Sequence, residues 1–122
     1  MNKRTALYCR TSTNDPAELA RQRAALQQCA QERGFENPVL YEDIGLTVLQ
    51  RRPEFMRLER DVRNGKVARV LTTSVSRIEC NTPVVMRWIV WLRRHGAEIY
   101  TLDDQADWNP LLAALEGGTA DA

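Results

Sequence analysis

Residues 5–34 read TALYCRTSTNDPAELARQRAALQQCAQERG. The first five are short, apolar and β-prone, which predicts a strand over residues 5–9. Asp15, Pro16 and Glu18 then mark a helix start, with Asp15 as N-cap, Pro16 at the first helical position and Glu18 three residues beyond the cap. From residue 16 to residue 33 the chain is rich in Ala, Leu, Gln, Glu and Arg, and Leu19, Gln22, Leu26, Cys29 and Ala30 share one face. Gly34 is the expected stop.

Working outward, the same alternation repeats. Residues 38–43 (PVLYED) predict a second strand, and residues 44–52, which contain Gly45 and show no period, predict a mobile surface arm. Pro53 opens a second helix with Phe55, Leu58 and Val62 on one face, closed by Asn64 and Gly65. Residues 67–72 (VARVLT) predict a third strand. Asn81 or Thr82 caps a third helix with Pro83 at its start, in which Val84, Val85, Trp88, Ile89, Trp91 and Leu92 make a wide apolar face. That face packs the core or meets a partner. Arg93, Arg94 and His95 lie at the helix C-terminus, where positive charge is favourable, and residues 97–102 (AEIYTL) predict a fourth strand. The expected fold class is therefore α/β, a mostly parallel sheet of four to five strands flanked by helices. One domain over residues 1–105 is expected, followed over residues 106–122 by a short helix and a flexible acidic tail.

Composition bounds the function. The chain has 122 residues, enough for one compact core burying roughly two thirds of its unfolded surface. Charged residues make up 27% and hydrophobic residues 43%, which argues against a largely disordered chain. No apolar run approaches a membrane span and no apolar signal core follows Lys3 and Arg4, so a soluble, cytoplasmic protein is expected. The net charge of +1 hides an asymmetry: the first 102 residues hold all 17 bases and 11 of the 16 acids, a net +6 that suits a polyanionic partner. Cys9, Cys29 and Cys80 form no CxxC pair and have only His95 for company, so no structural zinc site is expected and the thiols read as buried or incidental.

In an open parallel sheet, functional groups gather beyond the carboxyl ends of the strands. The first such segment holds Arg10, Thr11, Ser12 and Thr13 just ahead of a helix N-terminus, where hydroxyls, a guanidinium and backbone N–H groups would meet a phosphate. The same residues also suit a strand terminus and a helix cap, and Arg77 also suits an ordinary surface position. No GxGxxG and no GKS or GKT is present, so a standard nucleotide-binding loop lacks support. The acids at strand ends, Glu42 with Asp43 and Asp103 with Asp104, are too few for a metal-dependent nuclease and suit solvated termini.

Tyr8, Cys9, Arg10, Thr11 and Ser12 match the Y-x-R-x-S opening of the serine recombinase catalytic domain, and the chain resembles that family, the resolvases and invertases. The likeness continues through Gln22 and Leu26, Asp43, Gly45, Arg52-Pro53, Ser76-Arg77-Ile78 and Leu102-Asp103-Asp104, spanning about residues 4–105. It implies site-specific DNA recombination without a metal or other cofactor, in which Ser12 attacks a DNA phosphate and forms a covalent phosphoserine link. It assigns Arg10, Arg52 and Arg77 to the phosphate and DNA, and Gln22 and Asp43 to support of the site. DNA is the implied partner, with a homo-oligomer (dimer or tetramer) or a separate targeting protein completing the active form.

Two positions depart from the family pattern. Ser76 stands where an Asp is usual and Cys80 where a second Arg is usual, with Arg51 and Arg87 as possible substitutes. Loss of one phosphate-contacting guanidinium costs orders of magnitude in rate. The alternative reading is therefore a catalytically impaired relative that serves as an interaction or dimerisation module, and a third is a small-ligand or receiver-type α/β domain.

Overall fold

A computed structural model of the chain describes residues 3–11, 15–44, 52–78 and 81–103. Among these residues four strands, β1 (Arg4–Arg10), β2 (Pro38–Asp43), β3 (Val67–Thr72) and β4 (Glu98–Thr101), alternate with three helices, α1 (Pro16–Glu32), α2 (Pro53–Arg63) and α3 (Thr82–Arg94). All strand pairs are parallel, in the order β2-β1-β3-β4. Of the expected arm at residues 44–52, residues 45–51 lie outside the described residues, as do the expected short helix and acidic tail at residues 106–122.

The helices begin and end where local chemistry dictates. Each has proline in its first turn, and the Asp15 and Asn81 side chains accept hydrogen bonds from the backbone N–H of Glu18 and Val84. Gly34, at φ +68°, closes α1 in a conformation that costs glycine little and its N–H donates to the Gln31 carbonyl at 3.2 Å. Of the two predicted caps for α3, Asn81 takes the role.

Alternation along β1 sorts its side chains to opposite faces. Leu7 and Cys9 pack with Leu19, Leu26 and Ala30 of α1 and with Leu71. Ala6 and Tyr8 pack with Phe55, Leu58 and Val62 of α2 and with Val85, Ile89 and Leu92 of α3. One helix thus covers one face and two cover the other. Half of the α3 apolar stripe, Val85, Ile89 and Leu92, enters the core, while Val84 stays 37% exposed and Trp88 and Trp91 are partly buried against it. Among the described residues no helix is long and apolar enough to cross a membrane.

Strand order positions the site. The chain leaves β1 to build β2 on one side, then returns past β1 to build β3 on the other. The carboxyl ends of β1 and β3 therefore flank the point where the winding reverses, which is where open α/β sheets place ligands.

Candidate functional site

The site grows from the end of β1. Pairing with β2 runs on to Arg10 opposite Asp43, and the Thr11 N–H donates to the Asp43 carbonyl at 3.2 Å. Arg10 therefore sits inside the strand, 8% exposed, with its backbone clamped by Gln22 of α1. Gln22 Oε1 accepts the Arg10 N–H at 3.1 Å and Gln22 Nε2 donates to the Arg10 carbonyl at 3.0 Å. A side-chain amide offers one donor and one acceptor side by side, so a single buried glutamine satisfies both backbone groups where the ladder ends.

The second component is a 3₁₀ turn at Val75–Arg77, which the sequence did not announce. Ser74 caps its start by accepting the Ser76 N–H. Its end leaves carbonyls facing β1, and arginines take them. Arg10 Nε donates to Arg77 O and Arg10 Nη2 to Ser76 O, both at 2.8 Å. Arg52, at the N-cap position of α2, donates through Nη1 to Ile78 O and to Arg77 O and stacks over the Phe55 ring, 4.3 Å from its centroid. Carbonyls at the end of a helical turn carry partial negative charge, which explains why cations gather there.

Arg77 reaches back the other way. Its Nη1 donates to the Arg10 carbonyl at 3.2 Å, its Nε to Thr73 Oγ1 at 3.4 Å and its Nη2 to Glu18 Oε1 at 3.3 Å. Arg10 Nη1 has no hydrogen-bond acceptor among the described residues. Together these groups form a basic, donor-rich end to the sheet, suited to an anion with several oxygens.

Asp43 lies deeper. It is 2% exposed, and its carboxylate accepts the Tyr8 hydroxyl at 2.8 Å and the N–H groups of Glu54 and Phe55 at 3.1 and 3.0 Å. It thereby caps α2 from a strand end and fixes the helix that carries Arg52. Burial, followed by the bond to Asp43, pushes the Tyr8 phenol well above its ordinary range.

The structure thus brings Arg10, Arg77, Gln22 and Arg52 together and puts Asp43 behind them. Ser12 lies outside the described residues, as do Arg51 and Cys80; Arg87 is exposed on α3. Sequence reading missed Glu18 as a member of the group. Its position three residues past the N-cap suggested a capping role, but its carboxylate turns toward Arg21, Gln22 and Arg77. The four-residue interval to Gln22, which stacks the two on one helix face, is the signal that identifies it.

Residues 5–115 match the family model described as resolvase, N-terminal domain. No curated protein sequence matches the chain. Among solved structures, the chain is similar to the N-terminal catalytic domain of TP901-1 integrase, with 21% identity over 97% of this chain and 95% of that one and a TM-score of 0.79. It is similar to a resolvase family site-specific recombinase from Streptococcus pneumoniae, with 26% identity over 98% and 86% of the two chains and a TM-score of 0.76. The C-terminal catalytic domain of ISC1926 TnpA, an IS607-like serine recombinase, shares the fold at 21% identity, 96% and 79% coverage and a TM-score of 0.72. With the family match extending over most of its length and the parallel sheet in common, this chain belongs to the resolvase N-terminal domain family, the catalytic domain of serine recombinases.

Proposed function

We propose that the chain cleaves and rejoins DNA strands, with Ser12 as the nucleophile. Ser12 Oγ attacks a backbone phosphorus, the bond from phosphorus to the sugar oxygen breaks, and the proton lost by the serine matches the one gained by the departing sugar hydroxyl. A sugar hydroxyl from the exchanged strand then attacks the phosphoserine and restores both the phosphodiester and the serine. The transition state spreads negative charge over the phosphoryl oxygens, and fixed guanidinium groups meet that charge without reorganising.

The observation that carries this reading is the interlocked pair Arg10 and Arg77 at the switch point, anchored two residues before Ser12. In it, Arg10, Arg77 and Arg52 contact DNA phosphate, Gln22 holds the strand end, and Asp43 holds the helix carrying Arg52. DNA is the substrate, and further copies of this chain or a separate targeting protein complete the assembly. A DNA duplex with a nick near the scissile phosphate tests the proposal: the cut fragment escapes, religation fails and protein stays attached. The unaltered chain is expected to form this adduct and Ser12→Ala to form none.

One observation favours the impaired interaction module instead. The Arg10 guanidinium is nearly buried and spends two of its nitrogens on the carbonyls of Ser76 and Arg77. Failure of the unaltered chain to form any adduct would support that second reading.

A further inference from the structure

Among the described residues, the Glu18 carboxylate meets Arg77 of the site. Glu18 Oε1 accepts from Arg77 Nη2 and from Gln22 Nε2, each at 3.3 Å, while Oε2 accepts from Arg21 Nε at 3.2 Å and Arg21 Nη2 at 2.9 Å. The fork from Arg21 aims the carboxylate, and the bond from Gln22 ties it to the residue that clamps the end of β1. The side chains of Glu18 and Arg77 are about one third exposed, at 33% and 31%, so the pair stands at the mouth of the site. Hydrogen bonds from Arg21 and Gln22, with the charge of Arg77 added, hold the Glu18 carboxyl below the usual carboxylate range.

A carboxylate in this position does to Arg77 what a phosphate oxygen would do. It takes a guanidinium donor and neutralises the charge. It also repels a second anion brought to the same place. We propose that Glu18 is a placeholder anion that occupies Arg77 in the free protein, yields it to a DNA phosphate, and thereby sets the affinity of the site for phosphate. The proposal rests on the strand-transfer reading for the identity of that phosphate, while competition for Arg77 rests on the geometry alone.

Glu18→Gln keeps an oxygen facing Arg77 and Gln22 but removes the charge. Inorganic phosphate, titrated into the full chain while the Arg77 Nε–Hε resonance is followed by NMR, is expected to bind roughly two- to fivefold more tightly to Glu18→Gln than to the unaltered chain, the range of a solvent-accessible ion pair. In the Arg77→Ala background, where the backbone amides of Arg10 and Thr73 report phosphate binding instead, that difference is expected to vanish. Equal or weaker binding by Glu18→Gln overturns the proposal. With nicked DNA, Glu18→Gln is expected to lower the half-saturating DNA concentration and leave the rate at saturation undiminished. A purely structural Glu18 gives the reverse, a lower rate at an unchanged half-saturating concentration. Absence of any adduct from the unaltered chain overturns only the strand-transfer reading, and the phosphate titration then decides the role of Glu18 alone.

Discussion

Arg10 and Arg77 hold each other's backbone: the Arg10 side chain donates to the Arg77 carbonyl at 2.8 Å, and the Arg77 side chain donates to the Arg10 carbonyl at 3.2 Å. Residues 67 apart in sequence thus form one mechanical unit across β1 and the turn after β3. Each guanidinium has a fixed fork of donors, so binding the partner's carbonyl with one branch leaves another branch oriented. The arrangement trades some donors for rigidity, and it couples the two residues energetically.

Arg77→Lys keeps the charge but replaces the fork with a single ammonium. It cannot span the Arg10 carbonyl, Thr73 Oγ1 and Glu18 together. Adduct formation on nicked DNA is expected to fall about 100-fold or more, the scale of losing one oriented transition-state donor. Single-turnover gel assays read this directly, and a rate within threefold of the unaltered chain would contradict the assigned role.

Gln22→Leu fills the same space without either hydrogen-bonding group. The buried N–H and carbonyl of Arg10 then lose both amide partners. A stability loss of about 2 kcal/mol is expected in urea unfolding, because the Arg10 N–H is left unpaired and bears its full desolvation cost, while the carbonyl keeps its bond from Arg77 Nη1.

Asp43→Ala removes the acceptor for Tyr8, Glu54 and Phe55 at once. A loss of about 3 kcal/mol is expected, from a missing helix cap combined with an orphaned buried hydroxyl. Because α2 carries Arg52 at its start, adduct formation should fall with it even in conditions where the variant is folded. Unfolding curves and the nicked-DNA assay, run together, check both.

Stability is expected to fall as pH rises above about 10. Burial and the Asp43 carboxylate raise the folded-state pKa of Tyr8, and burial with the Asp61 bond raises that of Tyr41. The unfolded chain therefore ionises these phenols first, and the stability they contribute is complete below pH 10 and lost progressively above it. Tyr8→Phe should be less stable at neutral pH by about 1 kcal/mol and show a shallower alkaline decline. Thermal unfolding midpoints between pH 7 and pH 11 test the sign.

Cys9 is fully buried, and burial pushes its thiol up to about 12. At pH 8 iodoacetamide should modify the partly exposed Cys29 in the native chain and leave Cys9 untouched until denaturant is added. Peptide mass spectrometry after timed labelling gives the order.

Much of the architecture is local in origin and was readable from the chain. Asp15, Pro16 and Gly34 bound α1, and Pro53 with Asn64 bounds α2, because caps and stops act through neighbouring backbone groups. Residues 38–43 and 67–72 form strands with the predicted limits. β1 extends one residue beyond its apolar run at each end, to Arg4 and Arg10, because pairing with β2 and β3 holds charged residues that local propensity would release.

By itself the sequence determined the βα alternation, the faces of the helices and the set of polar residues gathered at strand ends. Tertiary structure decided how those residues meet. The order β2-β1-β3-β4 brings the turn at Val75–Arg77 beside Arg10, and only then do its carbonyls find the guanidinium groups of Arg10 and Arg52. Glu18 meets Arg77 across 59 residues of chain, a contact that no helix period encodes. The physical reason is range: capping and periodicity act over a few residues, whereas a buried donor takes whichever acceptor the packed strands deliver to it.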